Sequence, residues 1–294
     1  MLKYWICWVN DMKTLSTVHG AISIVNAIAT GQGSALGISL ETCAEVTLTS
    51  DNLVEVIINN DKSENTGLAQ ECFKLVKMKT SESCGAKITV NSDIPIGRGL
   101  KSSSAAATAI ILSCLKAFEI VMTEKEILDL SVQASKNSGV TITGALDDAA
   151  ACFLGGLVVT NNSSNELLSR VIVDDDYSIL IHVPDHKSYT KDVNYSGSDE
   201  FIHSLDTLIS MTLEGNYLSA MSLNGMIYSR ILKQSNESAI LALKNNALAA
   251  GLSGTGPSVG VICLSENKSS ILDSWKNLDG DIITAKINNE KGLI

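Results

Sequence analysis

The order of elements along the sequence predicts an α+β protein of two domains. Three observations carry this. Strand-like segments fill Ala21 to Ile94 and then give way to two long helices, Ser103–Val121 and Lys125–Asn137. A polar turn at Asn161–Asn165 and an acidic break at Asp174–Asp176 interrupt the pattern. Beyond the break the order strand, helices, strand, helix, strand suits a small α+β sandwich. A chain of 294 residues accommodates two domains, here residues 1–165 and 166–294.

In the first domain the expected strands are Ala21–Ala29, Ile38–Leu48, Leu53–Asn59 and Lys87–Asn91, with a helix over Asn65–Lys77. The helix at Lys125 carries its own start signal. Thr123 caps it and Glu126 follows three residues on, a capping box. Strands return at Leu157–Thr160 and Ser169–Val173. In the second domain a strand at Ile179–Val183 is stopped by Pro184, and a polar loop, Asp185–Asp199, follows. Helices are expected at Glu200–Leu213, Tyr217–Leu232 and Glu237–Ala250, then strand Val259–Leu264, helix Lys268–Trp275 and strand Ile282–Ile287. Met211, Met221 and Met226 lie in these late helices and read as core filler.

Hydrophobic residues make up 45% and charged residues 18%, enough for a sizeable core and against global disorder. The net charge of -10 argues against a nucleic-acid partner, because phosphate backbones demand a basic face. A small anionic substrate needs only a local cluster of positive charge. The seven cysteines are scattered, with no CxxC pair, and read as reduced core residues of a cytoplasmic protein. The best apolar run, Ala105–Leu115, is too short to span a bilayer, so no membrane association is expected. Residues 1–11 carry an apolar patch ahead of Met12, and the functional chain is expected to start near that methionine. His182 and His186 are four apart, but Pro184 between them forbids a helix, so they do not read as a metal pair.

Four segments stand out chemically. The first is Pro95-Ile96-Gly97-Arg98-Gly99-Leu100-Lys101-Ser102-Ser103-Ser104-Ala105. A strand leads in and an Ala-rich helix leads out. Gly97 and Gly99 let backbone approach a ligand, and the serines sit where a helix N-terminus attracts an anion. Arg98 and Lys101 add positive charge, and phosphate is the expected guest. The spacing is not that of a Walker A loop. An ordinary helix cap would need neither the extra serines nor two cations.

The second segment, Gly251–Gly260, holds four glycines and Pro257, which specify a rigid loop that can offer N–H groups to an anion. The third is Thr143–Ala151, with adjacent Asp147 and Asp148 among small apolar residues, followed by Gly155-Gly156. Such carboxylates are costly to bury unless paired or used. Beside a phosphate site one of them could accept a hydroxyl proton or hold Mg²⁺. The fourth, Asn26–Gly37, reads by spacing as a hairpin-like connection.

These segments resemble the motifs of the GHMP kinase superfamily. Pro95–Ala105 is similar to its phosphate-binding motif, Pro-x-x-x-Gly-Leu-x-Ser-Ser-Ala, with Ser104 in place of the alanine, and Gly251–Gly260 is similar to its third, glycine-rich motif. Within the superfamily the chain most resembles the archaeal-type shikimate kinases, on Asn26–Gly37, Gly97–Ser104 and Thr141–Asp148. The resemblance implies a first domain like the second domain of ribosomal protein S5, a ferredoxin-like second domain, and ATP between them. It implies ATP- and Mg²⁺-dependent phosphorylation of the shikimate 3-hydroxyl. Homoserine or mevalonate phosphorylation, or nucleotide binding without catalysis, are the alternatives.

Carried over, Pro95, Gly97, Arg98, Gly99, Leu100, Lys101, Ser102, Ser103 and Ser104 belong to the loop around the ATP phosphates, and Ser103 to the metal. Gly254, Thr255 and Gly256 belong to the third loop. The catalytic aspartate is Asp148 counting back from Gly155, or Asp147 counting forward from Gly144. The metal-binding glutamate that relatives carry about eleven residues earlier is missing from Ala134–Ser138. Arg98, Lys101 and Lys187 are the candidate partners for the acceptor's carboxylate.

Overall fold

The structure, a computed structural model, describes residues 13–61, 64–174, 176–186, 188, 195 and 198–293. Residues 1–12, with Cys7 and the expected start at Met12, lie outside the described residues, as does Lys187.

The strand-like N-terminal segments build one six-stranded sheet. β1 (Thr14–Val25) and β2 (Gln32–Thr49) form an antiparallel hairpin whose turn, residues 26–31, faces the site described below. β2 is long enough to pair on its other edge with two strands in succession, β4 (Gly85–Ser92) and β5 (Leu157–Asn161). β3 (Val54–Ile58) lies parallel to β4, and α1 (Gly67–Lys77) makes the crossover between them. β6 (Glu166–Val171) pairs with β5. The change of sheet therefore falls after β6, a few residues later than the expected break at 165.

α2 (Ser102–Ala117) is buried on all sides, continuously from Ala107 to Leu115, as an apolar helix without a polar face must be. It ends at Phe118, earlier than expected, where Glu119 turns to a positive φ of 54°. α3 (Glu124–Asn137) starts at the Thr123–Glu126 capping box, with both reciprocal bonds formed. α4 (Leu146–Leu154) carries Asp147 and Asp148 in its first turn. It begins abruptly at Ala145, in the left-handed region at φ 52°, with no side-chain cap to announce it.

The second sheet has strand order β10-β7-β9-β8, from β7 (Tyr177–Val183), β8 (Ala249–Leu252), β9 (Val259–Leu264) and β10 (Asp281–Lys286). α5 (Ile202–Leu213), α6 (Tyr217–Ile231) and α7 (Glu237–Lys244) join β7 to β8, and α8 (Lys268–Ser274) joins β9 to β10. This is the βαββαβ order of a ferredoxin-like unit. The helix expected over Glu237–Ala250 stops at Lys244, and Ala249 and Ala250 enter the sheet instead. Pairing with β9 outweighs their helix propensity. Met221 is core, as expected, but Met226 is 46% exposed and is not. Five of the described cysteines are buried and Cys43 is half-buried, and none of these six forms a disulfide.

The chain end returns to the first sheet. Asn288 N–H donates to Gly37 O, Gly37 N–H to Gly156 O, and Gly156 N–H to Asn288 O. The glycines Gly37, Gly155 and Gly156 leave room for this: a Cβ on Gly155 would stand 2.6 Å from Glu290 O.

α6 meets β8 at a similar glycine contact. A Cβ on Gly225 would lie 2.3 Å from the Gly251 Cα. Gly225→Ala is expected to destabilise the protein by about 1–3 kcal/mol through overpacking, read as a lower urea midpoint with unchanged slope.

Candidate active site

A cavity of about 560 Å³ is lined mainly by the first domain, with Ser188, Gly254 and Thr255 added from the second. Its floor is the Pro95–Ser104 loop. Three residues of that loop take positive φ, Gly97 at 68°, Gly99 at 81° and Lys101 at 68°, which delivers the chain straight into α2. Lys101 is the N-cap residue and makes no side-chain cap bond, so the first N–H groups of α2 are left for a ligand. Ser102, Ser103 and Ser104 line the cavity at that helix end. One arm is apolar, formed by Ile58, Leu68, Ala69, Val90, Ala106 and Ile110. The other end is polar, with Asn26, Asp147, Asp148, Gly254 and Thr255.

The third loop joins β8 to β9 and is stitched to the first. Ser253 Oγ donates to Gly99 O at 2.7 Å, and Ser258 N–H to Arg98 O at 3.3 Å. Gly99 must be glycine, because a Cβ there would meet Ser253 O at 2.1 Å. Gly254 N–H donates to Ser23 Oγ at 2.9 Å, tying the same loop to β1. The turn after β1 is held from α6. Asn26 N–H donates to Asn224 Oδ1 at 3.0 Å, and Tyr228 Oη lies 3.3 Å from both Ala29 N and Asn26 O. Asn26 Nδ2 donates to Gly254 O at 2.9 Å.

The expected phosphate-loop residues divide. Gly97, Gly99, Lys101, Ser102, Ser103, Ser104, Gly254 and Thr255 line the cavity; Pro95, Arg98, Leu100 and Gly256 do not. Leu100 is fully buried in the core. Arg98 donates to the carbonyls of Pro184 and His186 just after β7 and does not line the cavity, so in this structure it braces the loop against the second sheet. Gly256, at φ 76°, donates its N–H to Ser253 O and shapes the third loop from behind.

α4 brings both aspartates to the polar end. Asp147 is 4% exposed. Asn162 Nδ2 donates to its Oδ1 at 2.8 Å, and its Oδ2 occupies the space beside Gly33, where a Cβ would be 2.4 Å away. Asn162 is itself fixed, since Thr160 Oγ1 donates to its Oδ1 at 2.7 Å. Asp148 Oδ1 stands 2.9 Å from Lys101 Nζ in an ion pair, the lysine side chain 6% exposed and the aspartate 18%.

Burial and the neighbouring Asp148 charge push the Asp147 carboxyl well above the usual carboxylate range, against the opposing pull of Lys101 and Asn162. Burial draws Lys101 down, but the charges of Asp148 and Asp147 outweigh it and hold the ammonium above its ordinary value. Of the cations considered for an acceptor carboxylate, Arg98 is engaged at β7 and Lys101 at Asp148. The position eleven residues before Asp148 holds Asn137, which donates to Glu71 at 2.7 Å and does not line the cavity.

The profile of the GHMP kinases N terminal domain matches residues 67–156. The shikimate kinase of Methanothrix thermoacetophila is 36% identical over 278 residues, 95% of each chain. That of Methanothermobacter thermautotrophicus is 38% identical over 276 residues, 92% of this chain and 94% of its own. Among solved structures, homoserine kinase from Cytophaga hutchinsonii superposes with a TM-score of 0.78 over 99% of both chains at 16% identity, a likeness of fold. A glycine-serine loop running into a buried helix, faced by a carboxylate–lysine pair, is thus carried on the GHMP kinase fold, and the protein is a small-molecule kinase. It belongs to the family of the archaeal shikimate kinases.

A carboxyl whose proton affinity is raised on folding binds more protons in the native than in the unfolded state. Stability from that group therefore falls as pH rises from the ordinary carboxylate range through the raised folded value. Asp147→Asn is expected to remove this loss. Its melting temperature should exceed that of the wild type near pH 7–8, by an amount worth about 1–3 kcal/mol, with the difference shrinking toward pH 4. A series of thermal melts checks it.

Proposed function

We propose that the protein transfers the γ-phosphoryl group of ATP to the 3-hydroxyl of shikimate. The observation that carries the reaction type is the Asp148–Lys101 pair facing the open N-terminus of α2. The acceptor follows from the names of the archaeal relatives, which match along almost the whole chain.

The triphosphate sits on the serine-lined end of α2, where unpaired N–H groups and the helix dipole favour negative charge. The purine ring takes the apolar arm beside Leu68, Ala69 and Ala106. The acceptor occupies the polar end, walled by Asn26 and Thr255. Asp148 is the base. It is less buried than Asp147, and the Lys101 ammonium holds its carboxylate in place at the cavity. As the acceptor oxygen bonds to the γ-phosphorus, the bond from phosphorus to the bridging oxygen of ADP breaks. The hydroxyl proton passes to Asp148. Positioning and charge neutralisation supply most of the rate.

Magnesium fits the residues present. Serine hydroxyls and a second carboxylate are hard oxygen donors, and this ion needs only one or two protein ligands beside the phosphates. Asp147 is a buried carboxyl whose charge is opposed by Asp148, a conflict that a cation relieves. Ser103 and Asp147 would hold the ion, which would supply charge neutralisation to the triphosphate.

ADP release measured with shikimate, homoserine and mevalonate tests the reading. Turnover is expected with shikimate alone, and preference for another alcohol would replace the acceptor. Asp148→Asn is expected to lower kcat about 10²-fold or more with ATP binding retained. An unimpaired Asp148→Asn beside an inactive Asp147→Asn would exchange the two roles.

A further inference from the structure

Lys101 breaks the pattern of its own loop. At the two earlier left-handed positions, Gly97 and Gly99, the residue is glycine, which bears no steric penalty there. The third, at φ 68°, is a lysine, and an L-residue enters this region at a cost that glycine avoids. Its side chain is not a surface charge left by chance. It is 6% exposed and folds back into the cavity. Its ammonium meets Asp148 at 2.9 Å on one side. On the other it lies against the third loop, where a Cβ on Gly254 would be 3.1 Å from Nζ. Among the described residues that line the cavity it is the only lysine or arginine.

Phosphoryl transfer concentrates negative charge on the group in flight, and a fixed cation beside that path stabilises it. Arg98, the other cation of the loop, is committed to the carbonyls of Pro184 and His186. The geometry points to Lys101 as the catalytic cation that meets the transferring phosphoryl group, with its ammonium shared between that group and Asp148. This deepens the phosphotransferase reading and rests on it. The covalent balance is unchanged: the acceptor oxygen–phosphorus bond forms, the phosphorus–ADP oxygen bond breaks, and the proton goes to Asp148. Lys101 stays protonated throughout and lends only its charge.

Two variants test it. Lys101→Gly suits the left-handed backbone and leaves space for a small amine. Lys101→Met keeps the aliphatic stem. In both, kcat is expected to fall about 10²–10³-fold, with KM for ATP and for shikimate within about threefold of wild type. Ethylammonium added to Lys101→Gly is expected to restore at least about a tenth of the lost rate, and ethanol none. A second readout needs no acceptor. Calorimetry with Mg-ADP in the presence and absence of aluminium fluoride, a mimic of the phosphoryl group in flight, is expected to show tighter binding with the fluoride in the wild type and loss of that gain in both variants. A kcat within threefold of wild type, a loss confined to KM, or a retained fluoride gain would overturn the assignment. Failure of both variants to fold would give Lys101 a structural role and overturn it as well. A wild type that does not phosphorylate shikimate removes the acceptor, and the fluoride arm still decides the lysine.

Discussion

One ammonium group, that of Lys101, holds together three stretches of chain that are far apart in sequence. It belongs to the loop that opens α2, it neutralises Asp148 on α4, and it lies against Gly254 in the turn between β8 and β9. Each stretch is unusual alone: a left-handed lysine, two adjacent acids in a short alanine-rich helix, and a glycine where any Cβ would crowd. Together they are a consistent solution. A buried carboxylate needs a counter-ion, and removing one partner of such a pair typically costs about 3–5 kcal/mol. The pair is thus both a structural tie and the feature that makes the cavity suited to chemistry on an anion.

Around this tie the rest of the site is assembled by backbone contact more than by side chains. Ser253 to Gly99, Ser258 to Arg98, Ser188 to Gly97 and Asn26 to Gly254 all use main-chain donors or acceptors. Backbone held this closely demands glycine, which is why the motifs are rich in it. Rigid loops of this kind keep their N–H groups aimed before a ligand arrives, so little ordering is left to be done on binding. The serines of α2, Lys101 and the two aspartates are then the side chains set at the mouth of that helix.

What the sequence made legible follows from how local each signal is. The capping box at Thr123 and the serine-rich start of α2 are written in adjacent residues, and both helices begin within a residue of where those signals point. The start of α4 is faint in the sequence because its N-cap is a left-handed alanine with no capping side chain. β8 is hidden because Ala249 and Ala250 prefer a helix in isolation, and only pairing with β9 decides otherwise. The charge of Arg98 was evident but its direction was not, since charge alone does not say which way a side chain turns. Asn162, Asn224 and Tyr228 support the site through contacts across the fold, and single residues of this kind leave no periodic trace. The edge strand β6 was read as a strand, but its partner, and hence its sheet, depends on the turn at 162–165.

The return of the chain end to Gly37 and Gly156 bears on how the molecule is made. A ribosome delivers β2 well before the segment around Asn288, yet the two share hydrogen bonds, and Leu293 bridges back to Thr17. Contacts of such long separation form slowly and late. The six strands of the first sheet all lie before residue 172 and can pair among themselves, but this added contact waits until the segment around Asn288 has emerged. Until then Gly37 O and Gly156 N–H lack their Asn288 partner, and backbone groups left open in this way are where a nascent chain can pair wrongly.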